Sequence, residues 1–495
     1  MTTLTPAPSF LLTPALSPAL RQVVDDADLL TTLVGGFGSP LNVVLPAQLG
    51  ANVAACRRAL EGQAGLAYRI FLAHKPNRSA AIVRQAALQA IGLDVASEGE
   101  LRSGLAAGFP GHRIEATGPK NPAFLRLALQ HGVLINVDNA VELDQVDAAR
   151  RALGLSDPAE VMIRISGVTR NGRPSSELDT KFGVPAEDVP AVLRRLVERR
   201  DAVRLRGFAF HLPFSSGRER ARAAETLLDL HLEAIRVGLT PCAINVGGGF
   251  KVNYLQDADE WNAYVSGLKA GLLAQGPSLS WNGTGFGMWA NNGSIAGAAQ
   301  LASFAHAELM EAELASFLAT PMTRHGDRDL GTFLAENLVE LHVEPGRAMY
   351  DQLGLTAARV NFTKPTARGE WLVGLDMNRS NLDVVDREFF VDPILIPRSR
   401  VDAPQPGADP VGVYFGGNLC LPGDLILRHK TFLDRLPEAG DLVVFPNTAG
   451  YFMDFTESET LLQRVAPKVA VAPGPRGLSW WRDEDYLPAG PGEAS

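Results

Sequence analysis

Short apolar runs alternate with amphipathic segments from about residue 68 to residue 346. Eight runs have the length of strands: YRIFLA (68–73), GLDVAS (92–97), RIEATG (113–118), VLINVD (133–138), VMIRIS (161–166), LRGFAFHL (205–212), AINVGGG (243–249) and LVELHVEPG (338–346). Between them, apolar residues recur at spacings of three and four, which predicts helices. Eight strands that alternate with helices predict a (β/α)8 TIM barrel over residues 48–348.

The pattern changes on both sides of the predicted barrel. From residue 349 to 473, runs such as EWLVGLDM, GVYFGG and DLVVFP predict a second domain, a β-barrel or β-sandwich. GFGSPLNVVLP also has the pattern of a strand, so we expect residues 36–47 to join that domain after an N-terminal extension of residues 1–35. Residues 474–495 are expected to form a tail.

One connection in the predicted barrel is longer than a loop and a helix require. This insertion, at about residues 255–335, contains an aromatic stretch rich in Asn and Gly, with Trp281 and Trp289. Long insertions at a catalytic face often form lids or binding loops. A lid or substrate platform is one interpretation. Packing on the flank of the barrel or at a dimer contact is the other, and the pattern does not separate them.

The composition excludes several classes of partner. The net charge of -9 over 495 residues argues against nucleic acid, because no basic patch is present to neutralise phosphates. No run reaches the length of a membrane span, and the first residues lack the basic start of a signal peptide. The three cysteines, Cys56, Cys242 and Cys420, lack the spacing of a metal site. This usage fits a reducing cytoplasm.

Polar residues follow the predicted strands, at the face where barrel enzymes carry their active sites. Lys75 follows the first strand; a lysine there is usually a surface charge, but at a barrel mouth it can form a Schiff base. Gly247–Gly249 end the seventh strand with backbone N–H groups that can approach an anion, and Glu344 and Arg347 follow the eighth. A lysine, a phosphate cradle and a carboxylate for a ring nitrogen describe a pyridoxal phosphate site.

The chain resembles the fold-type III pyridoxal-phosphate decarboxylases, the family of diaminopimelate, ornithine, arginine and carboxynorspermidine decarboxylases. Twelve matching stretches occur in family order over about residues 36–470, among them AHKPN, GLDVASEGEL, ATGPKN, DTKFGV, NVGGGF, VEPGR, NLCLPGD and NTAGYFMDF. The resemblance implies an alanine racemase-like barrel with a C-terminal β domain. It also implies pyridoxal 5'-phosphate as cofactor and a homodimer whose active sites are built from two chains.

The resemblance implies roles for individual residues. Lys75 would hold the cofactor covalently, Glu344 would pair with its pyridine nitrogen, His211 would stack on its ring, and Asp94 would support the lysine region. Cys420 would come from the partner subunit and protonate the carbon left when CO2 departs. The phosphate would be bound by a further set of residues: Ser215, Gly247, Gly248, Gly249, Arg347 and Tyr451.

The chain also departs from the family pattern. Ser215 comes one residue later than the family's serine, and Asn245 stands where the family often has Asp. Leu421 replaces the acid that grips the distal ammonium of diaminopimelate or ornithine, and an unpaired buried ammonium is costly. The diaminopimelate motif RPALY is not recognisable, so Arg379 and Arg387 are candidate substitutes.

These features predict decarboxylation of an amino acid or a derived substrate other than standard diaminopimelate or ornithine, as in siderophore, polyamine or other secondary metabolism. Trp281 and Trp289 are candidate substrate contacts. A racemase or epimerase with the same cofactor is an alternative, but racemase relatives typically have arginine in place of Glu344. A non-catalytic homologue that binds a protein is another, and the retained Lys75 and Cys420 argue against it.

Overall fold

The computed structural model describes residues 10–170, 173–174, 180–212, 214, 216–298, 308–326, 328–382, 391–398, 410–474 and 477–488. The chain forms two compact units. The barrel unit comprises Leu49–Lys251, Glu308–Met349 and Tyr486–Ser495, and the β unit comprises Met1–Gln48, Val252–Ala307 and Tyr350–Asp485. Each unit is therefore assembled from segments that are distant in the sequence.

Parallel strands form a closed ring in the described residues of the barrel unit. They are β1 (Tyr68–Ala73), β2 (Gly92–Val95), β3 (Ile114–Ala116), β4 (Leu134–Val137), β5 (Ala159–Ser166), β6 (Val203–Ala209), β7 (Ala243–Asn245) and β8 (Glu340–Val343). Each pairs with the next, and β8 pairs with β1 to close the ring. Strands such as β2 and β4 are buried along their whole length, which explains their continuous apolar runs. The predicted (β/α)8 barrel is confirmed.

One helix precedes the first barrel strand, and others lie between successive strands. They are Gln48–Glu61, Ala80–Leu88, Glu98–Ala106, Pro122–Gln130, Ala140–Ala152, Val189–Glu198, Gly217–Arg236, Met310–Leu318 and Leu330–Glu336. Several begin at a polar cap: the side chains of Ser97, Asn121 and Asn139 each accept a hydrogen bond from a backbone N–H of the first turn. These caps start the helices within a few residues of the strand ends and keep the intervening loops short.

The β unit is built on a mixed sheet, which confirms the predicted sheet-rich second domain. Its strands in the described residues are Leu41–Val44, Gly354–Pro365, Trp371–Leu375, Ile394–Ile396, Val411–Gly416, Thr431–Leu433, Leu442–Pro446, Lys468–Gly474 and Gly477–Arg482. Leu41–Val44 pairs antiparallel with Gly354–Pro365 and parallel with Lys468–Gly474.

Two N-terminal helices, Pro18–Asp25 and Ala27–Phe37, complete the core of the β unit. Their apolar residues are fully buried in one cluster with residues of the sheet: Leu20, Val23, Leu30, Val34, Leu355, Val444 and Val469. Within the described residues, no helix is long and apolar enough to cross a membrane.

The first part of the insertion belongs to the β unit. It contains the helix Ala258–Leu272 and a hairpin of Met288–Asn291 with Ser294–Gly297. The hydroxyl of Tyr264, on this helix, donates to the carbonyls of Leu279 (2.9 Å) and Lys430 (2.8 Å). The Trp281 ring meets Tyr414 edge to face, with centroids 5.1 Å apart. These contacts attach the insertion to the C-terminal strands, and the roles of lid, platform and dimer contact stay predictions.

Residues assigned to a tail from the sequence include a strand. Gly477–Arg482 pairs antiparallel with Lys468–Gly474. Leu478 packs on the core cluster, and the ring of Trp480, two residues further on, meets Phe37 with centroids 5.4 Å apart. Because alternate residues of a strand share a face, the spacing of these two side chains suits a strand better than a tail.

Candidate active site

A cavity of about 690 Å³ opens at the carboxyl ends of the barrel strands. Lys75, Asp94, His211 and Glu344 all line it. These side chains follow or end β1, β2, β6 and β8, so the closed ring brings together residues far apart in the sequence. This is the face at which barrel enzymes carry their chemistry.

The loop that carries Lys75 is held by backbone and side-chain contacts. The N–H of His74 donates to the carbonyl of Asp94 at 2.9 Å, and its buried ring lies 3.1 Å from the hydroxyl of Ser103. Buried Asn77 accepts a hydrogen bond from the N–H of Ser79 at 2.9 Å. Lys75 is exposed to the cavity, but its backbone is anchored on both sides.

Asp94 is a buried acid at the end of β2. Its Oδ1 accepts a hydrogen bond from Thr117 Oγ1 at 2.7 Å. Burial, and then the negative charge of Glu344, raise the pKa of Asp94 to about 8. At neutral pH the protonated form is favoured, so Asp94 can hold a proton beside Lys75.

The pKa of Glu344 shifts in the opposite direction to that of Asp94. Burial would raise its pKa, but the hydrogen bond and charge of His211, the hydrogen bond of Asn245 and the charge of Lys75 together hold the pKa below its usual value. His211 Nδ1 lies 3.2 Å from Glu344 Oε2, and burial lowers the pKa of the imidazole. The pair therefore presents an anionic carboxylate within hydrogen-bonding distance of the imidazole.

The glycines after β7 are required by close backbone approach. Gly247 has a φ of +65°, and a Cβ there would lie 2.6 Å from the carbonyl oxygen of Phe210. A Cβ on Gly248 would lie 2.3 Å from the carbonyl oxygen of Glu344. A loop without side chains lets its backbone N–H groups approach an anion, as a phosphate site needs.

A buried arginine supports this glycine loop from behind. Arg220, on the helix Gly217–Arg236, has no exposed surface. It donates to the carbonyls of Val246 and Gly248, each at 2.9 Å, and to Glu313 Oε1 at 2.7 and 3.0 Å. The sequence analysis missed it, although Arg220 shares the spacing of the buried residues Ala224 and Leu227 on the same helix.

The cavity is also lined by basic side chains that the sequence analysis missed. The guanidinium of Arg164, on β5, lies over the ring of Phe182 at 4.5 Å from its centroid, and the ammonium of Lys181 lies 4.9 Å from the same centroid. Arg164 also lies 3.7 Å from Asp138. Its position within the apolar run VMIRIS was the available signal, since a charge inside a barrel strand needs a partner in the interior.

The remaining predicted residues are distributed over both units. Arg347 follows β8 and begins a short 3-10 turn in the barrel unit. Ser215 and Arg387 lie outside the described residues. A third group belongs to the β unit: Trp281, Trp289, Arg379, Cys420, Leu421 and Tyr451. The cavity thus unites four predicted residues, and the contacts of the third group with a cofactor or substrate stay predictions.

Asp424 organises the loop that exposes Cys420. Its buried carboxylate accepts hydrogen bonds from the backbone N–H groups of Leu419 (2.8 Å) and Arg379 (2.9 Å). A Cβ on Gly417 would lie 2.2 Å from Asp424 Oδ2, so glycine is required beside it. Cys420 itself is exposed. The loop therefore presents an accessible thiol on a fixed backbone.

Comparisons with known proteins agree with this arrangement. The model for the pyridoxal binding domain of pyridoxal-dependent decarboxylases matches residues 47–276. The uncharacterized protein y4yA of Sinorhizobium fredii is 32% identical over 90% of this chain and 91% of its own length. Diaminopimelate decarboxylase of Zymomonas mobilis is 29% identical over 47% of this chain and 56% of its own length.

The fold is also similar to that of solved structures. The crystal structure of diaminopimelate decarboxylase from M. jannaschii in complex with L-lysine superposes with a TM-score of 0.68, at 18% identity, over 92% of this chain and 94% of that one. The chain belongs to the fold-type III pyridoxal-dependent decarboxylase family, and its cofactor is pyridoxal 5'-phosphate.

The cavity suits that cofactor. The glycine loop has no side chains to hinder the approach of an anion, Glu344 supplies an anionic acceptor, and Lys75 supplies an amine. Asn136 also lines the cavity, and its buried Oδ1 has no hydrogen-bond partner in the part of the chain that the structure describes. These groups match a phosphate, a protonated ring nitrogen, an aldehyde and a ring hydroxyl, respectively.

Glu313→Leu should destabilise the barrel unit by about 3–5 kcal/mol, because it leaves the Arg220 charge buried without its partner. Urea unfolding of the protein measures this. Glu311→Leu is the matched control: Glu311 lies on the same helix and pairs with Arg58 at 2.7 Å, but both side chains are exposed. Surface pairs contribute little, so the control should unfold almost as the wild type does. Equal effects of the two substitutions would contradict the importance of the buried pair.

Proposed function

We propose that this protein decarboxylates an amino acid or a compound derived from one. The observation that carries the proposal is the meeting of Lys75, Asp94, His211 and Glu344 in one cavity beside the glycine loop. A lysine, a stacking imidazole and an anionic carboxylate are the groups that a pyridoxal-dependent carboxy-lyase uses. When bound, the cofactor supplies an electron sink for the pair left at Cα by the departing CO2.

Individual residues of the chain would bind and orient the cofactor. Lys75 would hold the cofactor covalently, and Glu344 would keep its ring nitrogen protonated. His211 would pack against the ring face, and Asp94 would hold a proton near the lysine. The glycine loop and Arg347 would bind the phosphate, with Tyr451 and Ser215 as further candidates.

One feature supports a substrate other than diaminopimelate or ornithine, and a second indicates a group that the substrate carries. Leu421 offers no charge to a distal ammonium, while Arg164 and Lys181 in the cavity suit a carboxylate. We infer a substrate that carries a carboxylate and has no free ammonium at its far end. Arg379, Arg387, Trp281 and Trp289 remain candidate contacts for it.

A homodimer completes the proposal. Cys420 would reach the cofactor of the partner subunit and protonate Cα after CO2 leaves. Its exposed position on a loop fixed by Asp424 supports this role, because the thiol is available to another chain.

Lys75→Ala should abolish covalent cofactor attachment. The absorbance of the bound cofactor, and the mass of the borohydride-reduced protein, measure this directly. Lys181→Ala is the matched control, since Lys181 is a second lysine in the same cavity. It should retain the covalent cofactor. Retention by Lys75→Ala would contradict the assignment of Lys75.

CO2 release from a panel of L- and D-amino acids should identify the substrate. We expect the protein to prefer carboxylate-bearing compounds without a distal ammonium over diaminopimelate and ornithine. Proton exchange at Cα is followed in D2O with the same panel. Exchange without CO2 release would favour a racemase or epimerase. Preference for diaminopimelate would contradict the inference from Leu421.

Cys420→Ala should lower kcat by about 10²-fold or more, as expected when a general acid is removed, without changing cofactor affinity. Turnover and the stereochemistry of the product in D2O are measured together. Cys242→Ala is the control, because Cys242 lies in the barrel unit just before β7. Unchanged turnover and product in Cys420→Ala would remove the thiol from the mechanism.

A further inference from the structure

A second carboxyl group lies behind Glu344. Glu115 comes from the middle of β3 and has no exposed surface. Its oxygens accept hydrogen bonds from Asn245 Nδ2 at 3.0 and 3.1 Å and from Asn136 Nδ2 at 2.9 Å. An acid at a fully buried strand position needs a reason, because an apolar residue would fill the same space at lower desolvation cost.

Asn245, at the end of β7, connects this acid to the site. Its Nδ2 also donates to Glu344 Oε1 at 2.5 Å, and its Oδ1 accepts from the N–H of Gly247 at 2.8 Å. One side-chain amide therefore touches the carboxylate proposed for the ring nitrogen and the first glycine of the loop proposed for the phosphate.

Chemistry fixes the orientation of this amide. Rotation by 180° would direct Oδ1 at the oxygens of Glu115 and Glu344 and would direct the NH2 group at the N–H of Gly247. In the rotated orientation, one contact would place acceptor against acceptor and the other would place donor against donor. With Glu115 as acceptor, both N–H bonds of Asn245 and its carbonyl oxygen have partners.

The two carboxyl groups differ in charge. Burial, followed by the negative charges of Glu344 and Asp94, raises the pKa of Glu115 well above its usual value. Glu344 is held ionised by His211, Asn245 and Lys75, as described above. The raised pKa favours the protonated form of Glu115, which limits repulsion of the Glu344 carboxylate.

We propose that Glu115 is a positioning residue: as a buried hydrogen-bond acceptor it fixes the amide of Asn245, which in turn orients Glu344 and the N–H of Gly247. The inference rests on the proposed function, in which Glu344 receives the ring nitrogen. Glu115 has no surface with which to touch a ligand, so its effect on the cofactor must pass through Asn245.

Two substitutions of Glu115 separate an acceptor from a mere space-filler. Glu115→Gln keeps a neutral acceptor oxygen of the same shape, so the dissociation constant of pyridoxal 5'-phosphate from the apo-protein should stay within about twofold. Glu115→Leu leaves one N–H of Asn245 unpaired and Glu344 less constrained. We expect about tenfold weaker cofactor binding, and a shift of the pH at which the bound cofactor's absorbance changes.

Glu142→Leu is the matched control. Glu142 is a buried acid of the same unit that pairs with Lys120 at 3.2 Å. Its loss should lower the unfolding temperature of the apo-protein without shifting the pH titration of the bound cofactor. Thermal unfolding of every apo variant reports folding independently of the cofactor.

Three results would overturn the proposal. One is a Glu115→Leu variant that folds and shows the wild-type affinity for the cofactor and the wild-type pH titration of the bound cofactor's absorbance. A second is Glu115→Gln as impaired as Glu115→Leu, since a neutral acceptor would then not suffice. If Glu115→Leu does not fold, Asn245→Ala decides: it removes the amide through which Glu115 would act, so binding should weaken at least tenfold and wild-type affinity would contradict the proposal.

These measurements use cofactor and no substrate. A wild-type protein that binds pyridoxal 5'-phosphate but releases no CO2 from any amino acid contradicts the proposed function alone. The comparison of the Glu115 variants remains decisive in that case, so the two failures are distinguishable.

Discussion

The pairing of β8 with β1 is the contact on which the site depends. Leu341 lies opposite Tyr68 and Val343 opposite Ile70 in this register. It closes the ring and places the residues after the first and last strands at the same opening. Without it, Lys75 and Glu344 would lie at opposite edges of an open sheet, and neither the charge of the lysine nor that of the carboxylate would influence the other.

Closure also creates a low-dielectric interior, in which the pKa values of the buried acids shift in different directions. Glu344, Asp94 and Glu115 are all carboxyl groups within one barrel, yet their pKa values move in different directions. Burial raises all three, and only Glu344 has enough donors and positive neighbours to reverse the effect. The fold thus keeps Glu344, the residue proposed to meet the ring nitrogen, as an anion, with two groups that favour the protonated form around it.

The sequence predicts the barrel because parallel strands buried on both faces appear as apolar runs, and it predicts Lys75, His211 and Glu344 because they follow those runs. Arg220 and Glu115 escaped prediction for one shared reason. Each is a charged residue type inside an apolar pattern, and its meaning depends on a partner brought close only by folding: Glu313 for Arg220, and Asn245 for Glu115. The place of the insertion depends likewise on contacts such as that of Tyr264 with Lys430, which no local pattern encodes.

The buried networks also hold the glycine loop that we propose as the phosphate site. Arg220 holds the carbonyls of Val246 and Gly248 from behind, and Asn245 holds the N–H of Gly247 from the side of Glu344. Because these groups are already held, the loop would lose less conformational entropy on binding a phosphate. With the proposed assignments, phosphate affinity and the orientation of Glu344 are linked through one amide, so we expect a change at Asn245 to affect both ends of the cofactor.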